Sequence, residues 1–382
     1  MKINSQKDWQ NKNHFSYLKS INPMLKGIIM MLLMTSCQAN TVSKNQTIHS
    51  EKVEISYTGN VDVVEFKMFE GLSQVLHKDS SSGTFVAELE IPNLSQAIFT
   101  YDILTYKKDS SGQMKEVEPV SDLIKLNHHK AIQSGQQFLW IGEKRNVNYT
   151  KSEKLTGSLS TKSVFSKYLN EERNMTIYTP AEADSNTPVF YLTDGTVVGY
   201  YAPYVDHLIS INKIKPVHLI GVHASEMNRH KEYVRLSSEN SLFEKHQNFF
   251  YNEIIAQIEK EIKNFAGKRY LFGFSNGAAF CMHAGLTHPQ KFEEVVAFST
   301  ADYISSLSQW MNPTKFEYDK YPNFYMGAGT YEKSIYEDNI KFIARMKENG
   351  ITVNFKEFVS GHDYNVWRIE FLQYLENRFK KQ

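Results

Sequence analysis

Arg269-Tyr-Leu-Phe-Gly-Phe-Ser275-Asn-Gly-Ala-Ala-Phe280 is the stretch that decides the fold. Its first six residues form a near-continuous apolar run, the pattern of a strand buried on both faces. Residues 278–288 then read as a buried helix, with no loop between the two. The chain must pass from strand to helix through Gly273-x-Ser275-x-Gly277. A turn that sharp forces the serine into strained backbone angles and needs glycine on both sides, where a side chain would clash. It lifts the Ser275 hydroxyl above the sheet at a helix N-terminus, whose amides can stabilise an oxyanion.

Working outward, the same grammar holds from about residue 151 to the end. Strands at 163–169 and 175–178 precede a buried run at Val189-Phe-Tyr-Leu192. Strands at 217–222, 269–274, 295–298, 323–327 and 353–358 then alternate with helices at 248–265, 278–288, 336–349 and 365–379. Apolar strands alternating with helices predict an α/β domain over 151–382, a mostly parallel sheet covered on both faces. Residues 51–145 differ: short alternating runs broken by turn clusters such as Lys78-Asp-Ser-Ser-Ser-Gly83 and Lys107-Lys-Asp-Ser-Ser-Gly112. They predict a small all-β sandwich of immunoglobulin-like architecture.

The composition excludes several classes. Among 382 residues, 41% are hydrophobic and 13% aromatic, so disorder is not the main state. With Gly at 19 and Cys at 2, neither a collagenous repeat nor a disulfide scaffold is possible. The formal net charge is +1, which leaves no basic footprint for nucleic acid. Even that value is an average. Residues 1–37 carry Lys2, Lys7, Lys12, Lys19 and Lys26 against Asp8 alone; without them the remainder has a net charge of −3.

Those first residues read as an export leader, with either Met1 or Met24 as the start. A short basic start and an apolar run of about ten residues, too short to span a bilayer, lead to Met34-Thr35-Ser36-Cys37. That segment resembles a bacterial lipobox, which makes Cys37 the expected lipidation site and residues 38–50 a flexible polar tether. The expected location is outside the cytoplasm, on a membrane through the lipid alone. Cys281, on a buried helix, is then the remaining thiol and reads as a small packed hydrophobe.

A serine hydroxyl attacks only if a base takes its proton. Of the 13 histidines, His362 alone follows the last predicted strand, in Val359-Ser-Gly-His362-Asp-Tyr-Asn-Val-Trp367. An acid must orient it, and Tyr325-Met-Gly-Ala-Gly329-Thr-Tyr-Glu332 offers Glu332 after the preceding strand. Asp363 and Asp302 are its rivals. The order Ser275, Glu332, His362 is that of the α/β-hydrolases. Two backbone donors should face the developing negative charge. The Asn276 amide is one; Thr196, in Thr193-Asp-Gly-Thr196 after the strand at 189–192, is the other, with Gly195 second. For substrate contacts the loops offer Arg229, Tyr233, Trp310 and Trp367. Arg229 reads equally as a brace paired with Glu232, and each aromatic equally as packing. Histidine spacing suggests no metal site, and no metal or organic cofactor is implied.

Taken together, Tyr191-Leu-Thr-Asp-Gly195, Gly273-Phe-Ser-Asn-Gly277, His288-Pro-Gln-Lys-Phe292, Gly327-Ala-Gly-Thr-Tyr-Glu332 and Gly361-His-Asp-Tyr-Asn-Val-Trp367 resemble the esterase D-type family of α/β-hydrolases. That family includes enterochelin esterases, feruloyl and acetyl-xylan esterases, and mycolyltransferases. The resemblance covers about residues 155–380 and implies a serine ester hydrolase with the triad on Ser275, Glu332 and His362. An aspartate is commoner than glutamate at the second position. A β-sandwich ahead of such a domain is also similar to enterochelin esterases and some polysaccharide esterases. The expected substrate is a siderophore-type lactone or an acyl or feruloyl ester on a glycan. An acyltransferase with the same triad, or a non-catalytic glycan-binding lipoprotein, is the alternative.

Overall fold

The computed structural model describes residues 50–381, except 70, 120–123, 127–131, 135–136, 146, 148, 236–240, 263–264, 302–306 and 308–320. The leader, Cys37 and most of the tether, together with Asp302 and Trp310, lie outside the described residues.

The N-terminal part is all antiparallel. Its strands are β1 (Ser50–Tyr57), β2 (Val63–Met68), β3 (Ser73–Lys78), β4 (Phe85–Pro92), β5 (Ile98–Lys108), β6 (Met114–Val117), β7 (Ile124–Leu126), β8 (Ile132–Ser134) and β9 (Gln137–Ile141). They pair in the order β7-β1-β4-β3-β2-β5-β9-β8, with β6 on β5. Alternation fixes which side chains point inward. Val53, Ile55 and Tyr57 of β1, Ala87 and Leu89 of β4, Phe66 of β2 and Phe99, Tyr101 and Ile103 of β5 share one core. Tyr331, from the C-terminal part, is buried in that same core.

The C-terminal part is an α/β domain on one mixed sheet, ordered β10-β11-β13-β12-β14-β15-β16-β17. The hairpin β10 (Ser158–Ser166) and β11 (Glu171–Thr179) joins β13 (His218–Val222) antiparallel. From β13 onward all pairs are parallel: β12 (Val189–Leu192), β14 (Arg269–Phe274), β15 (Glu294–Phe298), β16 (Asn323–Gly329) and β17 (Val353–Phe358). Side chains leave the sheet alternately. Tyr191, Leu271, Val295 and Ala297 enter one core and Phe190, Phe272, Val296 and Phe298 the other. The first core is covered by α3 (Ser241–Phe249), a π-helical stretch Phe250–Ile255, α4 (Ala256–Glu261), α5 (Asn276–Thr287) and α6 (Ser334–Glu348). The second is covered by α1 (Val197–Ser210) and α7 (Tyr364–Arg378); the short α2 (Arg229–Tyr233) follows β13. Cys281 is fully buried in the first core, and burial pushes its thiol well up.

Several elements depart from the sequence reading: the strands read over 163–169 and 175–178 run instead as the longer hairpin Ser158–Ser166 and Glu171–Thr179. Helix α1 has no counterpart in the sequence reading; it contains Gly199 and Pro203, yet it runs unbroken because Val198, Tyr201, Ala202, Val205 and Leu208 are buried against the sheet. Tertiary burial outweighs propensity here. The helix read over 248–265 instead begins at Ser241 and closes at Glu261, with the π-helical stretch inside it.

Asp206 on α1 anchors the segment joining the two parts. It accepts from Ser152 Oγ at 2.7 Å, Thr156 Oγ1 at 2.9 Å, Gly157 N–H at 2.9 Å and Tyr178 Oη at 2.9 Å. Burial would raise this carboxyl, but those donors hold it down to about 2.

His218 begins β13 at 3% exposure, against Ile177, Ile220 and Ile258, in a cavity of about 380 Å³. Among the described residues neither ring nitrogen has a hydrogen-bond partner. Burial lowers this histidine from 6.5 to about 4, with Asp184 pulling weakly the other way. Between those two values the unfolded chain binds the extra proton and the folded chain does not, so stability falls as pH falls through that window. Thermal melts from pH 7 to pH 4 should therefore show the native protein losing more stability than His218→Leu, and parallel curves would contradict this.

Candidate active site

Ser275 sits between β14 and α5 with φ 54° and ψ −130°, a conformation rare for any residue with a side chain. Its amide donates to Phe298 O at 2.9 Å, and the Ala278 and Ala279 amides return to its carbonyl at 3.1 and 3.3 Å. The flanking glycines have steric causes. A Cβ on Gly273 would fall 2.5 Å from Gly277 O, and one on Gly277 would fall 2.2 Å from Thr193 Oγ1. Ser275 and Asn276 are half-buried at the start of α5, so the hydroxyl and the first helical amide share one partly open corner.

Glu332 and His362 arrive from the loops after β16 and β17. Parallel pairing sets those strand ends side by side, and two bonds stitch the loops beyond them. Thr330 N–H donates to Phe358 O at 2.8 Å and Tyr331 N–H to Ser360 O at 2.9 Å. The structure thereby brings Glu332 Oε1 to 3.2 Å from His362 Nδ1. The other Glu332 oxygen accepts the Gly329 amide at 3.1 Å. The Glu332 side chain is fully buried and that of His362 is 6% exposed, so water does not compete for this contact.

Asp363, the nearer rival, is occupied elsewhere. One oxygen caps α7, accepting from Asn365 N–H at 2.6 Å and Val366 N–H at 3.2 Å, and the other takes the Thr100 amide of β5.

The loop after β12 turns through Asp194, whose φ is 54°. Its amides are largely assigned: Thr193 N–H to Phe272 O at 3.1 Å, Asp194 N–H to Tyr233 Oη at 2.8 Å and Gly195 N–H to Val222 O at 3.1 Å. Gly195 is thus excluded as an oxyanion donor, and Thr196 remains, at the N-terminus of α1. A Cβ on Gly195 would fall 2.2 Å from the His223 ring, which explains the glycine.

Arg229 reaches this loop and not Glu232. Its Nη2 lies 2.7 Å from Asp194 Oδ2 and its Nε bonds Oδ1, a two-point clamp on the turn. Glu232 instead pairs with buried Arg173 and accepts Ser225 N–H at 2.9 Å. Burial raises its carboxyl, while the Ser225 amide and Arg173 draw it back.

Two expected substrate contacts are corrected. Tyr233 is 1% exposed and spends its hydroxyl on Asp194 and Val222, so it braces the loop after β12. Trp367 is 1% exposed as well. It stacks on Phe274 at 4.6 Å, meets the His362 ring edge-on at 4.7 Å and donates its indole N–H to Ser299 Oγ at 2.8 Å. It therefore ties the histidine to the strand that delivers Ser275.

Sequence reasoning missed Asp194, Tyr364, Phe69 and Thr100. The first two stand inside quoted motifs, where they were given no role; the β-domain residues carried no signal, since their partners are remote in sequence. Two cavities are lined by residues of these loops. One of about 550 Å³ is lined by Asp194, Gly195, Thr196, His223, Glu226 and Arg229 among others. The other, of about 340 Å³, is lined by Phe69, Thr100, Asp102, His362, Tyr364 and Asn365 among others.

Comparison with known proteins identifies the class. The profile of the Esterase family, described as "Putative esterase", matches residues 166–377. The chain belongs to that family and is a carboxylic ester hydrolase. No protein of curated function matches it. Among solved structures, the enterobactin esterase of Shigella flexneri in the presence of enterobactin is similar at TM-score 0.65 and 13% identity, over 89% of this chain and 98% of that one. Ferric enterobactin esterase of Salmonella typhimurium gives 0.63 and 12%, over 85% and 92%. A ferulic acid esterase gives 0.48 and 19%, over 59% and 98%. The likeness to the two enterobactin esterases is one of fold, and it extends well beyond the α/β domain.

Replacing Tyr233 by Phe leaves the buried Asp194 amide without its acceptor. Stability should fall by about 1–3 kcal/mol and kcat several-fold, with KM unchanged. A raised KM at native stability, read from melts and steady-state kinetics, would return Tyr233 to the substrate.

Proposed function

We propose that the protein is a serine esterase of the α/β-hydrolase type, with Ser275 as nucleophile, His362 as base and then acid, and Glu332 as the group that orients the imidazole. The observation that carries this reading is the buried Glu332–His362 contact at 3.2 Å, joined through Trp367 to the strand that ends at a strained serine. Glu332 on Nδ1 leaves Nε2 to accept the serine proton, and its charge stabilises the imidazolium that results. Attack forms a tetrahedral intermediate whose oxygen is held by the amides of Asn276 and Thr196. Its collapse expels the alcohol with the proton from His362, and water then releases the acid by the same route.

The lining favours a neutral ester. Arg173 and Arg229, the two arginines of the larger cavity, are each matched to a carboxylate, and Glu172 and Glu226 add negative charge. The cavity beside His362 adds Asp102 and Asp363. A siderophore lactone bearing ionised catechols would meet repulsion there, whereas an acetyl or feruloyl ester on a glycan would not. With Cys37 as a lipid anchor, the enzyme would act on such esters outside the cytoplasm.

Ser275→Ala should lower kcat for a short-chain aryl ester at least about 10³-fold without shifting the melt. Glu332→Gln should cost about 10²–10⁴-fold. A fluorophosphonate should label the parent protein at Ser275, and product analysis with an added sugar acceptor separates hydrolysis from transfer. Full activity in Ser275→Ala would sink the mechanism.

A further inference from the structure

Phe69 stands out in the β-domain. It is 62% exposed, at the tip of a tight connection between β2 and β3 closed by Met68 N–H to Leu72 O at 2.7 Å. Nothing in the β-core requires it, because the neighbouring Met68 is the residue that points inward. Its ring centroid lies 5.8 Å from that of His362, tilted by 48°. The tip is seated on the histidine loop: a Cβ on Gly361 would fall 3.4 Å from Phe69 O. Across the same cavity stands Tyr364, 65% exposed, with its ring 5.3 Å from Phe274 and 5.1 Å from Trp367. Two solvent-facing aromatic rings from different parts of the chain thus flank a cavity of about 340 Å³ that opens on the imidazole, with Asp102 and Asn365 as its polar rim.

We infer that this cavity receives the alcohol portion of the ester and that Phe69, supplied by the β-domain, selects alcohols that carry a ring. The inference rests on the serine-esterase reading. In that reaction the Ser275 oxygen bonds to the carbonyl carbon, the carbon–oxygen bond to the alcohol breaks, and the departing oxygen takes its proton from His362. The leaving oxygen must therefore lie within hydrogen-bonding reach of the imidazole, and whatever it carries fills the space beside it. The acyl group, whose carbonyl oxygen would face the Thr196 amide, would extend toward the larger cavity, which Thr196 lines. A ring, whether a planar aromatic or the C–H face of a sugar, presents an apolar face to Phe69 and Tyr364 while polar substituents reach Asp102 and Asn365. Phe69 is a specificity residue here; it moves no proton.

The test varies only the alcohol. Acetate esters of ethanol, of benzyl alcohol and of the 6-hydroxyl of methyl glucoside are compared in the parent, Phe69→Ala and Phe69→Tyr, with Tyr364→Ala in parallel. Phe69→Ala should lower kcat/KM about 3–10-fold on one or both ring-bearing esters and less than about twofold on ethyl acetate, and Phe69→Tyr should restore the loss. A larger fall on the glucoside points to sugar alcohols, a larger fall on the benzyl ester to aromatic ones. Equal losses on all three esters, or no loss on any, would overturn the assignment. If Ser275 in the parent resists fluorophosphonate labelling, the esterase mechanism itself has failed, and the assignment with it.

Discussion

One carboxylate fixes the geometry on which the site depends. Asp363 accepts the first amides of α7 with one oxygen and the Thr100 amide of β5 with the other. It is the residue after His362, so the imidazole's position follows from both the start of a buried helix and the edge of the β-domain. Glu332 is held in the same manner one residue after Tyr331, whose hydroxyl donates to Pro92 O and whose ring packs edge-on against Phe99 at 6.0 Å. Catalytic groups need placement within about half an ångström. Here two neighbouring loops are clamped from both sides.

The loops after β12 and β13 are organised by charge pairs. Arg229 clamps Asp194, and Arg173 meets the fully buried Glu232, which also takes the Ser225 amide. Such pairs add little net stability, because desolvation offsets most of the attraction, yet removing one partner strands a buried charge. Their effect is positional. They hold the loops after β12 and β13, where Gly195 gives its amide to Val222.

How much of this the sequence disclosed depends on range. The strand–turn–helix around Ser275 was legible because Gly273 and Gly277 answer clashes within a few residues. The order of the three candidate catalytic residues was legible because each follows a parallel strand, and the 3.2 Å contact joins loops that β16 and β17 place together. Helix α1 was hidden by Gly199 and Pro203, since burial of its apolar face decides it. The Arg229 partner was misjudged between Glu232 and a ligand because Asp194 lies on another loop entirely. Tyr233 and Trp367 were offered as substrate contacts and are instead buried: the loop sequence does not tell which backbone or side-chain group a polar aromatic atom will satisfy. The Phe69 ring beside His362 has no sequence signature at all.

Several bonds cross between the β-domain and the α/β domain: Ile98 N–H to Val359 O at 3.0 Å, Arg145 to Glu370 at 2.7 Å, and Tyr331 sunk in the β-core. The two parts are therefore thermodynamically coupled, and the loops bearing Glu332 and His362 belong to both. Partial opening of the β-domain costs less than melting the parallel sheet. Such an opening misaligns the imidazole while the sheet and the strained serine persist. On the serine-esterase reading, alignment of the two loops would then be lost by opening at the seam while the parallel sheet stays folded.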